Sequence, residues 1–252
     1  MIGLAYSLAS YLVFLAVFVY FAAFTDGVLV PRHVDVGASG DPWTSAGIDL
    51  ALIAAFGLQH SIMARRGFKR LLTRVLPARV ERATFVLASS LVLALLMWQW
   101  RPLGSTVWTI ENEPLAIALW TINVVGWVGV PISSLLIDHL ELFGIRQAWH
   151  GFRRTTFERK GFVAPYLYRY VRHPMMLSLM VGLWVTPHMT VGHALLSFGM
   201  TIYVFVGVHF EERALAEELG LAYLQYKEST PRFLPIRLPK TPRQAPASGG
   251  SR

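Results

Sequence analysis

The chain has 252 residues, 54% hydrophobic and only 15% charged, with no cysteine and a formal net charge of +8. A soluble domain of this size carries roughly a quarter charged residues, so that class is excluded. The missing cysteine removes disulfides, thiolate nucleophiles, haem attachment and cysteine metal sites.

In chain order, the apolar residues fall in blocks. Residues 4–24, 44–63, 83–100 and 114–137 each match the ~20 residues that cross a bilayer core. No basic stretch precedes the first block and no small-residue cleavage site follows it, so it reads as a retained span rather than a removed leader. Two shorter runs follow, 175–187 and 194–210. At 1.5 Å per residue the first reaches only about 20 Å, short of a ~30 Å core. Pro187, His188 and Gly192 lie between the runs. The sequence therefore predicts an all-α integral membrane protein. Its helix bundle has four full spans plus a C-terminal helical hairpin over 174–210, five to six transmembrane segments in all. These form one domain, 1–239, followed by a disordered tail, 240–252, by composition.

The basic residues orient the bundle. Lys and Arg number seven in 64–82, seven in 138–172 and seven from 211 onward, against Arg32 and Arg101 alone in the other two loops. The positive-inside rule then puts both termini in the cytoplasm, and the expected location is the inner (plasma) membrane. That distribution accounts for the net charge without nucleic acid. In the first basic loop Arg65, Arg66, Lys69, Arg70 and Arg74 alternate with Phe68, Leu71, Leu72, Val75 and Leu76. The pattern fits a helix on an anionic inner leaflet, or simply a positive-inside loop with no ligand.

Three polar groups stand at the cytoplasmic ends of apolar runs, where ionisable residues are costly unless used. The first is Asp138-His139-Leu-Glu141-Leu-Phe-Gly-Ile-Arg146-Gln147. On a continuing helix it puts Asp138 and Glu141 on one face; a helix end meeting water accounts for it equally. The second is Tyr166, Tyr168, Arg169, Tyr170, Arg172, His173 and Pro174. Pro174 suits a first helical turn, with His173 at or next to the N-cap, where free N–H groups and an Arg cradle a carboxylate or phosphate. The other reading is a juxtamembrane basic and aromatic anchor. The third is the adjacent pair Glu211 and Glu212, which needs a nearby cation such as Arg169, Arg172 or a cationic ligand. Gly220 then reads as a helix C-cap, with Tyr223 and Tyr226 beyond it. An amphipathic helix emerging into water, with Glu217 and Glu218 solvated, is the alternative.

A ligand carrying carboxylate, ammonium, ribose hydroxyls and an aromatic base would use all of these at once, and S-adenosylmethionine is such a molecule. No G-x-G-x-x-G turn after a strand occurs, which excludes a Rossmann-type methyltransferase. No His and carboxylate spacing supports a zinc site.

At these residues the chain resembles the isoprenylcysteine carboxyl methyltransferase superfamily. The shared segments are Arg172-His173-Pro174, Glu211-Glu212-Arg213-Ala214-Leu215, Gly220-Leu-Ala-Tyr223-Leu-Gln-Tyr226 and Pro231-Arg-Phe-Leu-Pro235. The superfamily's R-H-P usually continues x-Y-x-G, where this chain has Met176 and Ser178. The chain is more similar to the nurim-related branch and, within it, to bacterial methanethiol S-methyltransferases. The segment from Asp138 to Gln147 and Trp184-Val-Thr-Pro187-His-Met-Thr190-Val-Gly-His193 carry that likeness, which runs from about 132 to 235.

The resemblance implies methyl transfer from S-adenosyl-L-methionine, without a metal, to methanethiol, a small volatile thiol that partitions through lipid. By analogy Tyr168, Arg172, His173, Pro174, Glu211, Glu212 and Tyr223 hold the cofactor at a cytoplasmic site. Arg172 and His173 take its carboxylate or adenosine end, and the Glu pair its ammonium or ribose. His139 is the expected thiol base, oriented by Asp138 or Glu141, with Arg146 and Gln147 closing the pocket. No protein partner is implied beyond the bilayer. Two other readings stay open: a methyltransferase acting on a lipid, prenylated or other thiol, and a non-catalytic nurim-like scaffold.

Overall fold

A computed structural model describes residues 1–38, 40–156 and 163–235; the expected tail falls outside them. Among the described residues five helices are long and apolar enough to cross a membrane. They are α1 (Ile2–Asp26), α2 (Pro42–Ala64), α4 (Ala78–Gln99), α5 (Glu113–Ile137) and α9 (Val191–Leu219). A short helix α3 (Arg66–Leu72) sits in the first basic loop, and α6 (His139–Leu142) and α7 (Ile145–Arg153) follow α5. The eleven-residue α8 (Pro174–Trp184) precedes α9, and α10 (Leu221–Ser229) ends the helical series. Leu12, Val19, Trp98, Val125 and Leu135 point outward uncovered, which suits a lipid surround and no other.

The bundle matches the expected four spans and hairpin, with three differences. Helix α4 starts at Ala78 rather than 83, because Arg79, Glu81 and Arg82 are already helical and Glu81 favours a first turn. Helix α9 runs 29 residues, roughly 43 Å, so Glu211 and Glu212 lie inside a helix that continues beyond any bilayer core. Gly220 does cap it, at φ 58°. Finally, the hairpin turn is pinned by two strands that its sequence did not announce. β2 (His188–Thr190) pairs antiparallel with β1 (Thr106–Thr109), in the loop before α5.

Small residues hold the hairpin to the bundle. A Cβ on Gly126 of α5 would lie 2.6 Å from the Gly182 nitrogen of α8, and one on Gly129 would lie 2.5 Å from Ser178 Oγ. Such close backbones are the usual route to helix association in lipid. Ser178, one of the two departures from the superfamily pattern, keeps a small side chain at this seam. Trp127 Nε1 and Asn123 Nδ2 donate to Asp26 at 2.9 and 3.1 Å, and Asn123 also reaches the Gly182 carbonyl. The apolar core of Phe21, Phe24, Ile53, Leu96, Trp100 and Leu196 joins α1, α2, α4 and α9. Gly126→Val should force α5 and α8 apart and destabilise the protein by about 1–3 kcal/mol. Thermal unfolding in detergent checks this, and an unchanged midpoint would contradict the tight seam.

Candidate functional site

Three stretches of the chain, 172–173, 212 and 227–232, meet on one carboxylate. Glu212 projects from α9 and is 1% exposed. Arg172 reaches its Oε1 through Nε at 2.9 Å and Nη2 at 2.8 Å, and His173 Nε2 lies 3.2 Å away. Arg232 Nη2 takes Oε2 at 2.6 Å, and Lys227 Nζ stands 3.4 Å from it. Such charge-assisted contacts are the strong ones, and a buried carboxylate needs them. Arg172 Nη1 also donates to the carbonyls of Lys227, at 2.8 Å, and Thr230. The backbones pair as well: the Arg172 and His173 N–H groups donate to Pro231 and Arg232 carbonyls. Tyr226 Oη donates to the Tyr168 carbonyl at 2.6 Å. Burial raises the phenol pKa values of Tyr168, Tyr223 and Tyr226, the last to about 12, so all three stay protonated donors at neutral pH.

Pro174 opens α8 and His173 is its N-cap residue, as the sequence suggests. His173 Nδ1 lies 3.8 Å from Glu211 Oε2 while its Nε2 faces Glu212, so this one ring separates the two carboxylates. Glu211, in contrast to Glu212, is half exposed. The cation expected beside the pair is therefore Arg172, joined by Arg232 and Lys227. Arg169 is exposed.

The Asp138–Gln147 group does not continue α5. The chain breaks at Asp138 (φ −170°, ψ 85°), which caps α6 by accepting from the Glu141 N–H at 3.1 Å. Asp138 pairs with Arg146 Nη1 at 2.5 Å. Gln147 Nε2 donates to the Glu141 carbonyl at 3.3 Å. His139 is held by neither expected acid. Its Nε2 lies 2.6 Å from Tyr11 Oη and its Nδ1 2.7 Å from Ser134 Oγ. Phe143 and Tyr11 flank the ring at centroid distances of 4.7 and 5.4 Å. Burial lowers the His139 pKa, favouring a neutral imidazole. With both nitrogens engaged, His139 is a fastening point for α1, α5 and α6. Tyr11→Phe should leave Nε2 unpaired and cost about 1–2 kcal/mol in thermal unfolding, with catalysis changed less than about threefold.

Two links join the groups. Tyr168 Oη donates to the Ser133 carbonyl at 3.3 Å, next to the Ser134 that holds His139. Arg82 of α4 donates Nε to the Leu142 carbonyl at 2.8 Å, and its charge acts on Glu211. Gly144 (φ 81°) makes this approach possible, since a Cβ there would meet the Ala83 nitrogen at 2.8 Å. Arg146 also lines a surface hollow of about 420 Å³ with Leu140, Ile145, Trp149 and His150. In the first basic loop, Arg66 bonds Glu218 at 3.2 Å and Arg65 stacks over Phe210 at 3.9 Å, so part of that loop grips α9. Sequence reasoning missed Tyr11, Arg82, Ser134 and Arg232. Only Arg232 carried a signal, as the lone basic residue in the Pro231–235 segment.

Among the described residues no group of three His, Asp or Glu side chains could hold a metal ion. Comparison with known proteins agrees with the motif set. The chain is 43% identical to a methanethiol S-methyltransferase of Mycobacterium tuberculosis, over 91% of this chain and 94% of that one. It is 41% identical to methanethiol S-methyltransferase 1 of Bradyrhizobium diazoefficiens, over 94% of this chain and 83% of the other. Nurim of Xenopus laevis is more distant, at 28% over 73% and 72%. No family model and no solved structure matches. Identity at this level over nearly the whole length leaves a single assignment: the chain belongs to the methanethiol S-methyltransferase family.

Proposed function

We propose that the protein moves the methyl group of S-adenosylmethionine to methanethiol, giving dimethyl sulfide and S-adenosylhomocysteine. The site is at the cytoplasmic face of the inner membrane, with both termini inside. The observation that carries this reading is the convergence of R-H-P, E-E-x-x-L, G-x-x-Y-x-x-Y and the Pro-rich segment around Glu212. A family scaffold without chemistry has no reason to bury so many charges together.

The donor set suits this cofactor. Glu211, half exposed beside His173, supplies an anion for an ammonium or ribose hydroxyls. Partly exposed Lys227 and Arg232 supply cations for a carboxylate. The Phe233 ring, 6.0 Å from His173, offers an aromatic face. Glu212 and Arg172 are saturated by their own neighbours, so they act from behind, fixing His173, Arg232 and Lys227 in place. Tyr168, Tyr223 and Pro174 shape the same wall. When bound, S-adenosylmethionine brings a methyl group already activated on sulfonium. The protein's work is then to align the thiol in line with that methyl and to exclude water. The Asp138–Arg146 pair, with Glu141, Gln147 and His139, closes the side nearest α5.

An acceptor series on purified protein tests the reading. With S-adenosylmethionine present, methanethiol should be methylated at least tenfold faster than a farnesylcysteine analogue. Preferential methylation of the prenylated acceptor would move the protein to the lipid-thiol reading, and turnover of neither would leave it a scaffold.

A further inference from the structure

A methyl transfer to a thiol needs a group that takes the thiol proton, and His139 has both ring nitrogens engaged. Another histidine fits better. His60 lies one turn before the end of α2, and its Nδ1 is buried with no hydrogen-bond partner among the described residues. Three rings enclose it: Phe85 of α4 at 4.7 Å, Phe56 at 5.6 Å and Tyr203 of α9 at 5.6 Å between centroids. The surround is aromatic and holds one orphaned polar atom. Orphans of that kind call for a ligand or a function.

One helix connects this cage with the site already described. Tyr203, Gly207 and Glu211 recur every four residues, so they share one face of α9. A Cβ added at Gly207 meets no atom within 4 Å, leaving that face open between the tyrosine and the carboxylate. At its near end Gly57 lets Tyr203 lie close against α2, 3.4 Å from where a Cβ would be. Arg82 spans the other side: its guanidinium sits 5.7 Å over Phe85, and its charge acts on both His60 and Glu211. Along this face of α9 Tyr203 packs on His60 and Glu211 lies beside His173, with Gly207 between them.

We propose that the methyl acceptor binds in the cage of Phe56, His60, Phe85 and Tyr203, and that His60 Nδ1 accepts its S–H proton. This rests on the proposed reaction. The thiol sulfur's electron pair forms the new bond to the methyl carbon as the carbon–sulfonium bond breaks. Its electrons stay on the departing sulfur, giving the neutral thioether S-adenosylhomocysteine. The proton moves to His60 and then to water, so the products are dimethyl sulfide, S-adenosylhomocysteine and one proton.

The test compares wild type with His60→Gln in detergent, using methanethiol and the more acidic 2,2,2-trifluoroethanethiol. S-adenosylmethionine affinity is read separately by calorimetry. Loss of general-base help should lower kcat with methanethiol by about 10²-fold. With the acidic thiol, already largely ionised, the loss should be under about tenfold, and cofactor affinity should hold within about twofold. Equal losses with both thiols, or an unchanged kcat with methanethiol, overturns the assignment to His60. Wild-type protein that methylates neither thiol overturns the proposed reaction itself. His60→Phe, which keeps the cage packed, guards against misfolding: it should unfold normally yet lose methanethiol turnover, and full activity in it also refutes the proposal.

Discussion

Glu212→Gln is expected to abolish S-adenosylmethionine binding and to destabilise the protein by about 3–5 kcal/mol, the usual cost of breaking a buried ion cluster from one side. Read as one of the pair that takes the cofactor's ammonium or ribose at a helix exit, Glu212 would matter for binding alone. Its burial changes the expectation. With the carboxylate gone, Arg172 and Arg232 face each other beside His173 and Lys227 with no anion between them. The Pro231–235 segment is held to the hairpin partly through those side chains, so it should detach. Calorimetric titration with cofactor and thermal unfolding in detergent read the two effects. A variant that unfolds at the wild-type midpoint would show that the cluster does not hold this end together.

His173→Ala should give the reverse balance. Glu212 keeps Arg172, Arg232 and Lys227, so the fold survives and the unfolding midpoint changes little. Glu211 loses its neighbour at 3.8 Å, however, and nothing then stands between the two carboxylates. Cofactor affinity should fall at least tenfold, which is ~1.4 kcal/mol, while His173→Asn recovers part of it. Unchanged affinity in the alanine variant would remove His173 from the cofactor wall.

The contrast between these variants shows what the sequence carries and what it does not. Spans are legible because a run of about twenty apolar residues is a one-dimensional property, and the brevity of α8 follows from the same count. The N-cap at His173 and the C-cap at Gly220 are equally local. Partner choice is not local. His139 meets Tyr11, 128 residues away, in place of the acids beside it, because the chain turns at Asp138 and spends that carboxylate on Arg146. The length of α9 was hidden for the same reason. Two adjacent glutamates look like an exit to water until Arg172, Arg232 and Lys227 arrive from elsewhere to bury one of them. The strand pair went unseen since Thr106–Thr109 is short and exposed along its length, with no alternating face to reveal it.

Headspace analysis of purified protein given methanethiol and S-adenosylmethionine deuterated at the methyl group separates methyl transfer to the small thiol from the other readings. Dimethyl sulfide should carry one labelled methyl, form one-for-one with S-adenosylhomocysteine and be lost in His173→Ala at cofactor concentrations near the wild-type Kd. Cofactor that binds but yields no labelled dimethyl sulfide would contradict that transfer.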